Sequence, residues 1–383
     1  MRLLAILGVI VASAACLAEE KPVTPQPAAP APDQQEVFVA NQDGYNTYRI
    51  PSVLVTAKGT ILAFCEGRKT GRGDSGNIDV VLKRSLDGGQ TWQPMQIVAD
   101  DEANTFGNPC PVQDRDTGTI WLPLTHNLGT DTESAIAKRT AKGSRTVWMT
   151  KSTDDGATWA KPVEITAATK RDNWTWYATG PGCGIQMKSG RMVIPCDHNA
   201  FDGDKRESHA IYSDDHGATW KLGGTITGNV NECQVAELAD GSLLMNMRSY
   251  SRRNLRAVST SRDGGLTWTP AADDPALIEP VCQAALIRMA DPRDPARGIL
   301  VFSNPASKKR EKMTVRISTD EGKTWPVSGI LHAGPAAYSA LGVLPDGRIL
   351  CLYERGEKSA YEKITLARFP LQWLLHSQDV ESP

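Results

Sequence analysis

The octapeptide SLDGGQTW at residues 85–92 is the first of five copies of the pattern Ser-x-Asp-x-Gly-x-Thr-Trp. The other four copies begin at Ser152, Ser213, Ser261 and Ser318. The Asp carboxylate can accept backbone N–H groups, the Gly can adopt a positive φ, and the Trp can pack against a neighbouring sheet. Because a role confined to one site would not need five copies, the pattern predicts a structural hairpin turn.

A second repeat places a Gly before an apolar run and predicts a second kind of hairpin turn. It occurs six times, at Gly59, Gly118, Gly190, Gly241, Gly298 and Gly347. Each of the first five is followed by an octapeptide, so one unit reads as strand, Gly turn, strand, loop, strand, octapeptide turn and strand. Six such units predict an all-β fold, a six-bladed β-propeller with four-stranded antiparallel blades.

The two ends of the chain are expected to close this ring. The last unit has no octapeptide, and the strand-like residues 36–39 can pair with residues 363–369, which would protect the sheet edges. The propeller is therefore predicted to span residues 36–375, with residues 376–383 as a C-terminal tail. Helical periodicity is nearly absent, except for a turn or two expected at residues 134–142.

The residues before the propeller predict export. A positive start and an apolar run at residues 3–15, too short to span a bilayer, are typical of a signal peptide, which is assigned to residues 1–18. A lipid anchor at Cys16 is the alternative. Residues 19–35 are rich in Pro and Ala and predict an extended spacer. Both alternatives predict a secreted protein, or one in the periplasm or cell envelope, without a transmembrane span.

The composition argues against several classes of function. A net charge of −2 gives no general basic surface, which argues against nucleic acid as a partner. The seven cysteines after the predicted signal form no Cys-x-x-Cys pair, so buried free thiols are expected rather than a zinc site or a disulfide framework. The six histidines show no metal-binding spacing, and no metal or cofactor is predicted.

Polar residues recur on one face of the predicted propeller. In a four-stranded up-and-down blade both repeated turns lie on one face. The start of the first strand and the loop between the second and third strands therefore lie on the opposite face. Those positions hold eight polar residues: Arg49, Arg68, Asp74, Glu232, Arg248, Arg310, Tyr338 and Glu354. This rim is predicted to carry the functional site.

Three of these residues, Arg49, Arg248 and Arg310, would repel one another if they converged unpaired, and their desolvation is costly. A guanidinium fork holds a carboxylate with two hydrogen bonds, so the three predict a site for a ligand that carries a carboxylate. The alternative is that each is a surface arginine paired with a nearby acid. Arg310 is preferred to the adjacent lysines because of its spacing before residues 313–316.

In order and spacing, the motifs resemble those of the exo-α-sialidase (neuraminidase) family with Asp-box, or BNR, repeats, of the bacterial and animal type. The resemblance covers residues 36–375. Besides the octapeptides, it rests on Tyr48-Arg49-Ile50-Pro51, Glu66-Gly67-Arg68 with Asp74 six residues on, Asn231-Glu232 with Arg248 sixteen residues on, Phe302-Ser303-Asn304-Pro305 before Arg310, and Tyr338 with Glu354 sixteen residues on. Asp boxes also occur in unrelated propellers, whereas the full ordered set is specific.

The resemblance implies a retaining exo-sialidase that removes terminal α-linked sialic acid from glycoproteins, glycolipids and oligosaccharides. It implies that Arg49, Arg248 and Arg310 hold the sialic acid carboxylate. It also implies that Glu354 braces Arg49 and that Arg68 contacts a ring substituent or the catalytic acid.

The resemblance also implies the catalytic residues. Tyr338 is the nucleophile, Glu232 takes its proton, and Asp74 serves first as acid and then as base. A neutral Tyr suits this substrate, because a carboxylate nucleophile would approach the anion carried on the anomeric carbon.

Two other functions stay open at the level of sequence. One is a non-catalytic carbohydrate-binding propeller, and the other is a glycosidase or trans-sialidase that acts on a related 2-keto acid sugar. The aromatic residues 174–177 (WTWY) also have two interpretations, since they could line the sugar-binding rim or pack inside a blade.

Overall fold

The computed structural model describes residues 30–201 and 205–376, and in them the chain is built almost entirely from β-strands. The predicted signal peptide, Cys16 and the spacer up to residue 29 lie outside the described residues. Strand β1 (Asp33–Val39) begins inside the predicted spacer, so the boundary predicted at residue 36 is too late. No described helix is both long enough and apolar enough to cross a membrane.

The strands pair in four hydrogen-bonded sheets, and we divide those after β1 into six consecutive units, called units one to six in chain order. Unit one contains β2 (Thr47–Val55), β3 (Ile61–Arg68), β4 (Ile78–Ser85) and β5 (Gln96–Ala99). Unit two contains β6 (Thr105–Gly107), β7 (Val112–Gln113), β8 (Ile120–Asn127), helix α1 (Glu133–Ala137), β9 (Thr146–Ser152), β10 (Val163–Glu164) and helix α2 (Thr166–Thr169). Helix α1 falls where a helical turn was predicted.

Units three to six continue the same pattern. Unit three contains β11 (Trp174–Thr179), β12 (Ile185–Gln186), β13 (Met192–Ala200), β14 (Lys205–Ser213) and β15 (Lys221–Ile226). Unit four contains β16 (Val230–Glu237), β17 (Leu243–Ser249), β18 (Leu255–Ser261) and β19 (Ala272–Ile278). Units five and six contain β20 (Ala285–Asp291), β21 (Asp294–Pro305), β22 (Glu311–Ser318), β23 (Val327–Val343), β24 (Ile349–Arg355) and β25 (Lys363–Phe369), and α3 (Leu371–His376) follows.

The two ends of the described chain meet in unit six. β1 pairs antiparallel with β25, with Asp33 opposite Arg368, which confirms the pairing predicted for residues 36–39. β23 runs for 17 residues, and its first half pairs with β22 in unit five while its second half pairs with β24 in unit six. Pairing within the units is antiparallel, and one parallel bridge, between Ile78 of β4 and Thr105 of β6, links units one and two.

The apolar core lies between neighbouring units. Phe64 of unit one packs in one cluster with Leu122 of unit two, and similar clusters join each later unit to the next. A sixth cluster joins unit six to unit one through Leu350 and Ile61. Because each fully buried side chain of this size contributes about 1.5–3 kcal/mol, these contacts hold the units together. The seven described cysteines are free thiols, and all but Cys183 are buried, as predicted.

The octapeptides form turns, as predicted. In the third copy the Asp215 carboxylate accepts hydrogen bonds from the Thr219 hydroxyl at 2.6 Å, the Thr219 backbone N–H at 2.9 Å and the Ser213 hydroxyl at 2.8 Å. These bonds, those from Thr219 above all, lower the pKa of Asp215 to about 2. Trp220, which ends this copy, meets Trp121 of unit two with ring centroids 6.3 Å apart, so the octapeptide also ties one unit to the next.

Five of the six predicted Gly turns are present, and one is wrong. The left-handed backbone that favours Gly occurs at Gly59, Gly118, Gly190, Gly241 and Gly347, with φ between 73° and 92°. Gly298 instead lies inside β21, opposite Ala290. The β20–β21 turn comes earlier, at Pro292 and Arg293, where Asp291 accepts the backbone N–H of Arg293 at 2.9 Å. Pro and Asp are strong turn residues, and here they form the turn several residues before Gly298.

A buried pair of histidines crosses unit three. The Nδ1 atoms of His198 and His209 lie 3.0 Å apart, His198 Nε2 lies 3.2 Å from Glu207, and His209 Nε2 lies 2.9 Å from the Tyr177 hydroxyl. An ionised Glu207 only accepts, so one direction satisfies every atom. Tyr177 donates to His209, His209 donates to His198 and His198 donates to Glu207. Both imidazoles are then neutral, and burial lowers the pKa of each below its usual value.

This pair makes stability depend on pH. The folded pKa of His198 and of His209 lies below the unfolded value, so the unfolded chain binds more protons as the pH falls through about 6.5. The free energy of unfolding is expected to fall between pH 7 and pH 5.5, by up to about 1.4 kcal/mol per pH unit for each histidine. Urea unfolding of the parent and of His209→Gln measures this, and the variant is expected to show about half the slope. Equal slopes would contradict the assignment.

Candidate active site

Four strands carry a β-bulge close to one another in space. The pairing register shifts between Arg49 and Ser52 in β2, Trp174 and Tyr177 in β11, Val230 and Cys233 in β16, and Ala336 and Ser339 in β23. Bulges redirect side chains and are common beside active sites. Arg49, Trp176, Glu232 and Tyr338 lie at or within these bulges, and all four line the same cavity.

That cavity has a volume of about 470 Å³ and gathers residues that are distant in sequence. Seven of the eight predicted site residues line it: Arg49, Arg68, Asp74, Glu232, Arg248, Arg310 and Tyr338. They come from units one, four, five and six. The eighth, Glu354, lies behind Arg49, so the predicted convergence of these residues is present.

Arg49 is fixed by a buried carboxylate. Its Nε lies 3.2 Å from Glu354 Oε1 and its Nη2 lies 3.4 Å from Glu354 Oε2. The Glu354 side chain also accepts the backbone N–H of Ile50 at 2.9 Å, which helps to hold Ile50 at a φ of 61°, an unfavourable value for a β-branched residue. The Tyr361 ring centroid lies 4.5 Å from the Arg49 guanidinium carbon. Glu354 therefore braces Arg49, while the Nη1 of Arg49 faces the cavity, 3.7 Å from Asp74 Oδ1.

Arg248 and Arg310 complete a group of three guanidinium groups. Arg248 donates from Nη1 to Glu232 at 2.6 Å and from Nη2 to the Tyr250 hydroxyl at 2.6 Å. Arg310 donates to the Tyr361 hydroxyl at 2.8 Å and forms no ion pair with a described carboxylate. The alternative interpretation, a surface arginine paired with a nearby acid, is therefore right about the pairing of Arg248 but not about Arg310. Both residues line the cavity rather than the outer surface.

Tyr338 and Glu232 are joined by a short hydrogen bond inside the cavity. The Tyr338 hydroxyl donates to Glu232 Oε1 at 2.5 Å, and both side chains are buried. Burial and the charge of Glu232 raise the pKa of Tyr338 far above its usual value, against the opposing charges of Arg248 and Arg49. At rest Tyr338 is a neutral phenol, and its proton already points at a carboxylate.

Asp74 lies on a loop held by Arg68. Arg68 Nη1 lies 2.9 Å from the Asp74 carboxylate and also donates to the backbone carbonyls of Arg72 at 2.6 Å and Gly73 at 2.9 Å. Its other side binds Glu66, with Nε 3.0 Å from Oε2. Arg68 is buried, whereas the Asp74 side chain is 56% exposed. Arg68 therefore holds Asp74 and its loop in place, and little of its own side chain is exposed to the open cavity.

The charges around Asp74 favour its anion. Desolvation at the cavity wall works to raise the pKa of Asp74, but Arg68 and, at 3.7 Å, Arg49 outweigh it and hold the pKa below its usual value. A ligand carboxylate bound by Arg49 would offset part of this effect. The proton affinity of Asp74 is thus coupled to what the arginines bind.

Other residues of the cavity were not predicted. Tyr361 contacts both Arg49 and Arg310 from the β24–β25 loop, which no repeat identified. Tyr250 could have been found, because it stands two residues after Arg248, just beyond the end of β17. In the stretch 174–177, Trp176 lines the cavity while Trp174 and Tyr177 pack inside unit three, so each interpretation holds for part of it.

A buried carboxyl group lies beside Glu232. Asn231 Nδ2 donates to Asp197 Oδ1, whereas Asp197 Oδ2 has no hydrogen-bond partner among the described residues. Burial, followed by the charge of Glu232, raises the pKa of Asp197 well above its usual value and so favours its neutral form.

One group of side chains in the described part of the chain has the composition of a metal site. Asp114, Asp116 and His216 have ligand atoms within 4.8 Å of one another. None of the three lines the cavity. Their contacts join unit two to the octapeptide of unit three, with His216 Nδ1 3.0 Å from Asp114.

Known proteins resemble this chain in sequence and fold. The family model of the BNR repeat-like domain matches residues 59–351. The chain is 33% identical to a sialidase of Micromonospora viridifaciens over 94% of its own length and 58% of the relative's. For a sialidase of Bacteroides fragilis the identity is 35%, with 82% of this chain and 61% of the relative covered. The chain thus spans about three fifths of these two relatives.

Two further proteins match over more of their own length. An exo-α-sialidase of Aspergillus fumigatus is 34% identical, over 87% of this chain and 86% of that protein. The solved structure of the Hadza microbial sialidase Hz136 superposes with a TM-score of 0.81 at 33% identity, and the match covers 89% of this chain and 69% of that chain. The fold and the site thus define this chain as an all-β BNR-repeat protein with an arginine-lined cavity. The chain belongs to the exo-α-sialidase family of glycoside hydrolases.

Proposed function

We propose that this protein is a retaining exo-sialidase that hydrolyses terminal α-linked sialic acid from glycoproteins, glycolipids and oligosaccharides. The observation that carries the proposal is the 2.5 Å hydrogen bond from Tyr338 to Glu232 in a cavity that also presents Arg49, Arg248 and Arg310. Tyrosine serves as nucleophile in sialidases, an exception among glycosidases. We also propose that the enzyme acts outside the cytoplasm, which rests on the predicted signal at residues 1–18.

We further propose that the six units are the blades of a six-bladed β-propeller. The support is the sequence of apolar clusters, each joining a unit to the next, with a last cluster that joins unit six to unit one. The pairing of β1 with β25 supplies unit six with its fourth strand. In such a ring the first strands surround the axis, which accounts for bulges from four units lining one cavity.

Binding begins with the carboxylate of the sugar. Arg49, Arg248 and Arg310 each carry N–H groups toward the cavity, and a carboxylate accepts several charge-assisted hydrogen bonds at once. Its charge also reduces the mutual repulsion of the three guanidinium groups. This binding weakens the hold of Arg49 on the Asp74 anion, so the pKa of Asp74 rises when substrate is present.

The chemical steps follow from the positions of the three reacting groups. The Tyr338 oxygen attacks the anomeric carbon as its proton passes to Glu232, while Asp74 gives its proton to the departing glycosidic oxygen. Asp74 then takes a proton from water, the water oxygen attacks the same carbon, and the Tyr338 oxygen leaves and regains its proton from Glu232. Two displacements at one carbon retain its configuration.

Asp74→Ala tests both the activity and the acid. The parent is expected to release 4-methylumbelliferone from its α-linked N-acetylneuraminic acid glycoside and sialic acid from sialyllactose. Asp74→Ala should lower kcat/KM on sialyllactose by about 10²–10⁴-fold and on the activated glycoside far less, because that leaving group departs without a proton. Asp172→Ala, at an exposed position outside the cavity, is the matched control.

Two outcomes would contradict the proposal. Equal losses on both substrates in Asp74→Ala would mean that this residue is not the acid. If the parent turned over neither substrate but bound sialic acid, the protein would be a carbohydrate-binding propeller instead.

A further inference from the structure

A second cavity opens beside the first, and the two share Asp74 and Glu133. This outer cavity has a volume of about 840 Å³. One wall is formed by α1 and its C-cap, which supply Glu133 and Lys138. The other is formed at the end of β13 and the start of β14, by Asn199, Phe201 and Arg206. Asp74 thus stands between the two cavities.

The position of Asp74 indicates which part of the substrate enters the outer cavity. If Asp74 protonates the glycosidic oxygen, as in the proposed function on which this inference rests, that oxygen must lie within about 3 Å of the Asp74 carboxylate. The terminal sugar fills the arginine-lined cavity, so the sugar that leaves extends away from it on the far side of Asp74. The outer cavity is the space on that side.

The outer cavity has features of a sugar-binding site. Asn199 lies in the wall of this cavity, and its buried Oδ1 has no hydrogen-bond partner among the described residues. The Phe201 ring is 43% exposed, although large apolar side chains are usually covered. Arg139 lies against this ring, 4.3 Å from its centroid, and helps to fix its orientation. A sugar ring can stack on this exposed aromatic face.

The charges of the outer cavity add a preference. Neither Lys138 nor Arg206 forms an ion pair with any carboxylate in the described ranges, and Arg206 instead stacks 4.5 Å from the ring centroid of Tyr250. Of the two acids that share the cavity, Asp74 is already paired with Arg68. Desolvation and the charge of Asp74 raise the pKa of Glu133, against the opposing charges of Arg145 and Arg206. The two cations are therefore available to an anion.

We propose that the outer cavity binds the leaving sugar and favours one that carries its own carboxylate, so that the preferred substrate is a sialic acid linked to a second sialic acid. The carboxylate of the second sugar would lie between Lys138 and Arg206, with its ring against Phe201. A neutral leaving sugar would still bind through Phe201 but would leave both cations without a partner.

The test compares two natural substrates with matched variants. For the parent, kcat/KM for removing the terminal residue from an α2,8-linked disialyllactose is expected to exceed that for sialyllactose. In Lys138→Gln/Arg206→Gln this ratio should fall about fivefold, the size expected for two exposed charge pairs. Arg206→Lys keeps the charge and should retain most of the ratio. Lys142→Gln, exposed four residues beyond Lys138 and outside the cavity, is the control.

Three readouts decide the outcome. The parent ratio should fall as salt is raised from 0.02 to 0.5 M, because exposed charges are screened. Phe201→Ala should raise KM for both oligosaccharides. An unchanged KM would mean that the leaving sugar does not bind in the outer cavity. A ratio that the double substitution leaves unchanged would overturn the charge preference; if that variant does not fold, Lys138→Gln alone should give about a twofold fall. Failure of the parent on every substrate would count against the proposed function instead.

Discussion

Tyr338→Phe is expected to lower kcat by about 10³-fold or more while the protein stays folded. The substitution removes one oxygen atom, which is the proposed nucleophile and the donor of the 2.5 Å hydrogen bond to Glu232. Because the ring remains, its packing with Ile50 and Ala337 is kept. Steady-state hydrolysis of the 4-methylumbelliferyl glycoside, with thermal unfolding measured in parallel, checks both halves of the prediction.

A matched tyrosine separates the nucleophile from general effects of the substitution. Tyr212 lies in β14, outside the cavity, with Arg191 4.3 Å from its ring centroid. Tyr212→Phe also removes a phenolic oxygen, and its kcat is expected to match the parent. Near-normal turnover by Tyr338→Phe would rule out a covalent role for this oxygen. A loss of structure in that variant alone would mean that the hydroxyl is structural.

Glu354→Ala is expected to have the largest effect on stability, about 3–5 kcal/mol in the free energy of unfolding. Glu354 is fully buried and holds Arg49, while its oxygens also accept the backbone N–H groups of Ile50 at 2.9 Å and Tyr338 at 3.1 Å. Its removal leaves a buried guanidinium and two N–H groups without acceptors. Urea unfolding at pH 7 gives the free energy. Glu164→Ala, on an exposed edge position, should change it little.

A second variant separates the cost of a lone charge from the value of the pair. In Arg49→Met/Glu354→Leu both charges are absent, and much of the stability is expected to return, since apolar residues can replace a buried ion pair. Activity should stay low, because Arg49 would no longer bind the substrate carboxylate. A double variant as unstable as Glu354→Ala would mean that the two backbone N–H groups, not the charge, dominate the loss.

The sequence predicted the fold best in the segments that carry a repeated motif. The octapeptides identified turns that Asp215 and its equivalents form through local hydrogen bonds, and local bonds depend little on the rest of the chain. Gly298 was misassigned because Pro292 and Asp291 form the turn earlier, and two turn signals in one segment compete.

Other parts of the site depend on tertiary contacts that no local pattern encodes. Tyr361 lies in a loop, and only the fold brings it against Arg49 and Arg310. The resemblance left open whether Arg68 contacts a ring substituent or Asp74. Its contact with Asp74 depends on the path of the loop at residues 72–74. The raised pKa of Asp197 follows from its burial, which strand periodicity alone does not give.

The pairing of β1 with β25 has a consequence for synthesis on the ribosome. Asp33 and its partner Arg368 are 335 residues apart, so the outer edge of unit six cannot be filled until the last strand has emerged. At roughly 5–20 residues per second, the first strand would remain without its partner for on the order of 20–70 s. During that time β1 is an unpaired strand that another nascent chain could capture. Its two glutamines and two acids among seven residues, DQQEVFV, make it a poor template for such pairing.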